Sequence, residues 1–319
     1  MRAFQVTSFD EKPALKEVDA PTPKPGQILV KIRACGLNFA DLLMLKGTYQ
    51  DTPDLPFISG MEIAGVVEAH GPDTTGPAVG TRVAVFGGQG GLAEFGCFDA
   101  ARAVALPDSM SFRDAAAFQI AYGTSHVALE YRANLRKNET LLVLGAAGGI
   151  GLTAVEIGKL MGARVIACAR GGDKLKIAKQ VGADHLIDAT TENIRDTVKA
   201  LGGADVVYDP IGGEQWKDAF RAANPDARLL PIGFASGDVP QIPANHMLVK
   251  NLTVMGVYWG GYLKYKPEVV TDSLSQLFDW YTEGKLKPHV SHILPLDQTA
   301  DALELLRTRK STGKIVVTM

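Results

Sequence analysis

Residues 1 to about 115 alternate short apolar runs with turn formers: QILVKIRA, GMEIAGVVEAHG, TRVAVFG and AVALP, with Gly, Pro and Asp between them. Runs rich in valine and isoleucine and bounded in this way predict a compact, mostly antiparallel β unit. From Ser111 the pattern changes. DAAAFQIAYGTSHVALEYR reads as helix, LLVLG as strand, and IGLTAVEIGKLMG as a helix with Ile150, Ala154, Ile157, Leu160 and Met161 on one face. ARVIACA and DKLKIAKQVG repeat the strand-then-helix pattern, the helix capped by Asp173 and closed by Gly182. HLID, ADVVYD, RLLPIG and LTVMGVYW continue as strands. Continuous apolar strands alternating with helices imply a parallel sheet buried on both faces, here a doubly wound domain over residues 121–260.

The C-terminal stretch reads as two helices, TDSLSQLFDWYTEGKL and TADALELLRTRK, and a last strand, GKIVVTM. That strand is expected to return to the first sheet, so the β domain would be discontinuous, over residues 1–120 and 261–319. The fold class is α/β.

Composition narrows the function classes. A formal net charge of -2 gives no basic excess for nucleic acid or an anionic membrane surface. The longest charge-free apolar stretch, Thr140 to Val155, is shorter than the ~20 residues of a spanning helix. Three scattered cysteines, Cys35, Cys97 and Cys168, suggest a reducing compartment. With no signal-peptide pattern at the start, a cytoplasmic protein with a small-molecule partner is the expectation.

Chemistry enters at VLGAAGGIG, residues 143–151, where a strand gives way to a helix. Gly145, Gly148 and Gly151 form GxxGxxG, and Ala147, Gly149 and Ile150 complete the loop. Glycine permits a positive φ in the turn and lets the backbone approach a pyrophosphate, which the helix N-terminus then attracts. An acid about twenty residues onward would select NAD. Here ACARGGDKLK ends its strand with Arg170, and Lys174 follows, so a 2′-phosphate and hence NADPH is expected.

GLNFADLLMLKGTY, LPFISGMEIAGVVEAHG, GGLAEF, LLVLGAAGGIG, ADVVYDPIGG, GFASG and the terminal TGKIVV together resemble the zinc-independent quinone oxidoreductase (zeta-crystallin-like) branch of the medium-chain dehydrogenases/reductases. The resemblance implies a GroES-like catalytic domain built from both chain ends, an inserted Rossmann domain, an active site in the cleft between them, and a homodimer. In the zinc-dependent relatives a Cys and a His hold the catalytic metal; here those positions are Asn38 and Met61. An amide and a thioether are poor zinc donors, so no metal is expected. The resemblance makes Asn38 and Tyr49 the candidate hydrogen-bond donors to a developing oxyanion, with Asp41 orienting the loop and Glu62 structural. Thr124, Phe234 and, more weakly, Asn251 and Lys250 are its further cofactor positions.

Without a Lewis acid, quinones and α,β-unsaturated carbonyls are easier hydride acceptors than simple ketones, because an enolate or hydroquinone anion spreads the charge. The reading is therefore an NADPH-dependent reductase of quinones or enones. A 2-enoyl thioester reductase and a non-catalytic, crystallin-like NADPH-binding protein are the alternatives.

Overall fold

Along the strand Gln27–Gly36 alternate side chains, Ile28, Val30, Ile32 and Ala34, are buried, the period of a sheet with one face on a core. The computed structural model describes residues 1–319, and this strand is the spine of its first compact unit, Met1–Ile120 with Pro288–Met319. A seven-stranded sheet runs in the order Val290–Pro295, Lys314–Thr318, Gln27–Gly36, Glu62–His70, Arg82–Phe86 and Ala103–Ala105, with Phe95–Asp99 also paired to Gln27–Gly36. The last strand of the chain pairs antiparallel with Gln27–Gly36, setting Val316 opposite Gly36. Ile63, Val67, Val83, Val85, Ile315 and Val317 close the core around it.

The second unit, Ala121–Lys287, is a Rossmann fold. Its six strands are all parallel, in the order His185–Asp188, Arg164–Ala169, Thr140–Leu144, Ala204–Asp209, Ala223–Pro231, Thr253–Val254. Numbered along the chain this is 3-2-1-4-5-6, the doubly wound order in which ligands lie beyond the carboxyl ends of the strands. Every residue of the central strand Thr140–Leu144 is buried, as a strand covered on both faces requires.

Four features depart from the sequence reading. Residues 261–287, expected with the β domain, belong to the second unit. The helix Glu268–Thr282 is held there through Ser273, whose hydroxyl bonds His126 Nδ1 at 2.9 Å, and through Trp280, edge-on to the same imidazole at 5.2 Å. The stretch read as one helix from residue 114 breaks into Phe112–Ala116, Gln119–His126 and a π-helical turn, Val127–Arg132. LTVMGVYW pairs only through Thr253–Val254 before the helix Trp259–Tyr265 begins. Asp173 is not a cap: Gly171, at φ 86°, is the N-cap, and Asp173 lies inside the first turn, ion-paired with Lys176.

Candidate functional site

In the first unit the segment after Gln27–Gly36 turns into the short helix Phe39–Met44 through a reciprocal cap. The Asn38 N–H donates to Asp41 Oδ2 at 2.7 Å. The Asn38 side chain is fully engaged. Its Nδ2 donates to Gly36 O at 3.2 Å and to Glu62 Oε2 at 3.1 Å, and its Oδ1 accepts from Lys314 Nζ at 2.6 Å. Lys314 also donates to Glu62 Oε2 at 3.0 Å, and Glu62 Oε1 accepts the Ile120 N–H at 2.9 Å. Asp41, Glu62 and Lys314 are all buried. A charge in such surroundings persists only when paired and hydrogen-bonded, which Glu62 and Lys314 are.

Asp41 is different. Burial pushes its carboxyl up to about 7, against the pull of the Asn38 N–H, and its Oδ1 completes no hydrogen bond. Burial also raises the Cys35 thiol well above its ordinary value, so Cys35 stays a protonated core residue.

As the structure stands, the Asn38 side chain has no N–H left over for an oxyanion. An amide has two N–H donors, and both are taken. Asn38 is a member of a buried Glu62–Asn38–Lys314 network. Met61 packs with Val6, Met44 and Phe57, and Tyr49 lies half-buried against that apolar cluster. The structure therefore gathers Asn38, Asp41, Glu62 and Lys314 at one place and seats Tyr49 in an apolar setting. Lys314 was not singled out in the sequence, because only the fold brings it to Glu62.

In the second unit the glycine loop follows Thr140–Leu144 and opens the helix Gly149–Leu160. Each glycine has its own reason. Gly145 sits at φ 59°, and a Cβ there would meet Ile211 Cδ1 at 2.7 Å. A Cβ on Gly151 would strike Gly145 O at 2.2 Å, so this glycine lets the helix pack on the turn. Gly148 has φ -80°, open to any residue, and a Cβ there would meet nothing closer than Gly145 O at 3.4 Å. The fold leaves that space empty, on the exposed side of the loop.

The first ladder bond of the helix is Leu152 N–H to Gly148 O, so the N–H groups of Gly149, Ile150 and Gly151 precede the ladder. The Ala146 N–H bonds Cys168 O at 2.9 Å, and Ala147 packs with Ala169 and Leu175, which ties the loop to the end of the second strand. Arg170 follows there, exposed, with no ion pair or hydrogen bond. The turn behind it is pinned by Asp188, whose Oδ1 accepts the Gly171 N–H at 3.0 Å. Lys174 is half-buried in the next helix.

Thr124 is buried on the helix Gln119–His126, beside a hydroxyl network absent from the sequence reading. Ser125 Oγ bonds Thr153 Oγ1 at 2.8 Å, Tyr208 Oη at 3.0 Å and Ile150 O at 2.9 Å. It fastens this helix to the first turn after the glycine loop. The available signal was a hydroxyl at each of Thr153 and Tyr208 inside otherwise apolar runs.

At the same carboxyl end, Asp209 accepts the Ile211 and Gly212 N–H groups, and burial lifts it to about 6. Phe234 is exposed in the turn after Ala223–Pro231, with its ring beside Gly212. Asn251 is elsewhere. It terminates the helix Ala244–Lys250 in the left-handed region, φ 51°, and enters Thr253–Val254 at the amino edge of the parallel sheet. That position is at the opposite end of the strands from the glycine loop, and Lys250 Nζ is bonded to the Arg221 and Ala223 carbonyls.

A GroES-like β unit joined in one chain to a Rossmann unit with an open glycine loop defines a medium-chain dehydrogenase/reductase. Known families agree: the profile described as "Alcohol dehydrogenase GroES-like domain" matches residues 24–108, and that described as "Zinc-binding dehydrogenase" matches residues 149–279. The chain belongs to this superfamily, in its zinc-independent quinone oxidoreductase-like branch. The quinone oxidoreductase-like protein 2 homolog of Nematostella vectensis is 40% identical over 314 residues, which span 96% of this chain and 86% of that protein. The crystal structure of the Thermus thermophilus quinone oxidoreductase, also solved with NADPH, is 31% identical with a TM-score of 0.88 over 100% of both chains. Escherichia coli quinone oxidoreductase complexed with NADPH is 26% identical with a TM-score of 0.91, over 100% of this chain and 99% of that one.

The zinc in the second profile's description does not suit the residues here. Asn38 and Met61 stand at the ligand positions, and of the two carboxylates beside them Glu62 is committed to Lys314, Asn38 and Ile120 and Asp41 caps the Asn38 N–H. A dinucleotide does suit the second unit, where Gly148 leaves space that the fold has no use for. No helix is long and apolar enough to cross a membrane.

Proposed function

We propose that this oxidoreductase reduces quinones or α,β-unsaturated carbonyls with NADPH and without a metal. The observation that carries the reading is the Glu62–Asn38–Lys314 network, a self-satisfied hydrogen-bonded cluster standing where zinc-dependent relatives carry ligands. Acceptors that delocalise their own negative charge need no Lewis acid, and these are conjugated carbonyls.

The glycine loop would hold the pyrophosphate on the N–H groups of residues 149–151, and Arg170, with Lys174 behind it, the 2′-phosphate. When bound, NADPH supplies a hydride, a proton with two electrons, to the electrophilic carbon, and a solvent proton completes the reduction. The protein's own work is placement. The network fixes the backbone at Asn38, Met61 and its neighbours supply an apolar wall, and Tyr49 at its edge donates to the oxyanion. A homodimer is part of this reading, supported by the open sheet edge at Thr253–Val254.

NADPH oxidation followed against 1,4-benzoquinone, 9,10-phenanthrenequinone, a simple enone and crotonyl-CoA, with NADH in parallel, tests it. Turnover of the quinones or enone is expected, with NADPH preferred by about tenfold or more and the preference lost in Arg170→Ala. Crotonyl-CoA as the sole good substrate would move the reading to enoyl thioesters, and tight NADPH binding without any turnover would overturn catalysis. Tyr49→Phe should lower kcat with the Kd for NADPH unchanged.

A further inference from the structure

Away from the glycine loop, the second unit has an open hollow of about 350 Å³ lined by Arg195, Lys199, Phe220, Arg221, His246 and Lys250 with Val249. Three helices supply these residues: Ile194–Ala200, Gly213–Ala222 and Ala244–Lys250. In a chain of net charge -2, four cationic side chains and a histidine line one hollow, and no carboxylate does.

Helix dipoles account for part of this charge. Lys199, Arg221 and Lys250 stand in the last turns of their helices, where a cation is favoured, and Lys250 caps carbonyls directly. They do not account for Arg195. It lies in the first turn of its helix, where the dipole opposes a cation, and its Nε is buried without a hydrogen-bond partner. Arg195, Lys199 and Arg221 form no close ion pair; the neighbouring acid Asp218 stands outside the lining and feels the charges of Arg221 and Arg195 only at longer range. Burial, with the charges of Lys199 and Arg195, depresses the Lys250 ammonium below its ordinary value. On one side the His246 ring stacks on the buried Phe220 ring at 6.5 Å and is exposed to the hollow's mouth.

A cation set against its own helix dipole, its buried Nε without a hydrogen bond and three further cations around it, points to a ligand. We propose that this hollow binds a polyphosphate anion, either inorganic or the triphosphate of a nucleotide whose base stacks on His246. Several cations around a concave site suit several phosphates, which accept the charge-assisted hydrogen bonds that Arg195 and its neighbours lack.

The double variant Arg195→Gln/Lys199→Gln tests this by thermal melting at about 150 mM salt, with sodium tripolyphosphate, ATP and citrate as probes. In buffer alone the variant should melt at or above the wild-type temperature, since it loses repulsion. At 1 mM tripolyphosphate the wild type should rise by about 2–4 °C and the variant should not, reversing their order. ATP raising the wild type further, with the excess lost in His246→Ala, assigns a nucleotide; equal rises assign the inorganic anion. No rise in the wild type, an equal rise in the variant, or the same rise with citrate overturns the proposal.

Discussion

Asp41 is fully buried with one oxygen bonded to the Asn38 N–H, and the burial, outweighing that bond, determines how it titrates. Its folded value near 7 lies above the ordinary 3.8. Between about pH 4 and 7 the native state keeps a proton that the unfolded chain releases. Its contribution to stability is thus full below pH 4 and is lost as pH rises through 7, by at most about 1.4 kcal/mol per unit. Asp41→Asn keeps an acceptor for the Asn38 N–H and removes the titration. The variant should match the wild type at or below pH 4 and exceed it increasingly up to pH 8, as read by denaturant melts at each pH. Parallel curves would mean that Asp41 is charged throughout. Asp209 and Glu156, also raised by burial, titrate in the same sense but are common to both proteins, so the difference isolates Asp41. At this scale the sequence carried Asn38, Asp41 and Glu62, because two motifs hold them. It did not carry that both Asn38 N–H groups are taken, since one acceptor is 24 positions away and the other is the Gly36 carbonyl.

The strand–loop–helix element separates two uses of glycine that look alike in GxxGxxG. Gly151→Ala drives a Cβ into backbone at 2.2 Å and should cost about 1–3 kcal/mol in stability along with NADPH binding. Gly148→Ala meets only an oxygen at 3.4 Å and has a permitted φ, so stability should stay within about 1 kcal/mol. Its NADPH Kd should nonetheless rise by about tenfold or more, because the new methyl fills the side open to the phosphates. Melting curves with fluorescence titration of NADPH check the pair; a Gly148→Ala protein with wild-type affinity would remove the pyrophosphate from this loop. The alternation from LLVLG to ADVVYD was legible here because buried parallel strands are continuous apolar runs. The helix start at Gly172 was not. A positive-φ glycine at Gly171 and a bond from Asp188 on the neighbouring strand set it, and neither leaves a local mark.

Across the whole molecule, the first unit is completed only by the end of the chain. The strand Lys314–Thr318 lies inside the seven-stranded sheet, between Val290–Pro295 and Gln27–Gly36, so it is a central strand although it comes last. The terminal GKIVVTM predicted the strand from its apolar run; its register, with Val316 opposite Gly36, places Lys314 beside Glu62, 252 positions earlier. No local pattern encodes that meeting, which is why Lys314 was invisible in the sequence. It also makes the pair a test of how the unit is held. Lys314→Met leaves Glu62 charged, buried and short of its cation, which should destabilise the unit by about 3–5 kcal/mol. Glu62→Gln/Lys314→Met removes both charges, keeps an acceptor for the Ile120 N–H, and lets the Asn38 amide flip so that its Oδ1 accepts from the new side-chain N–H at position 62. The double variant should recover most of the loss, since a buried ion pair replaced as a pair is often close to neutral. Hydrogen exchange of the amides in Gln27–Gly36 reads this unit apart from the other, where a single melting temperature would mix them. A double variant as weak as Lys314→Met would show that the lysine acts by packing its stem in the sheet, and that the charge pair is incidental to the fold.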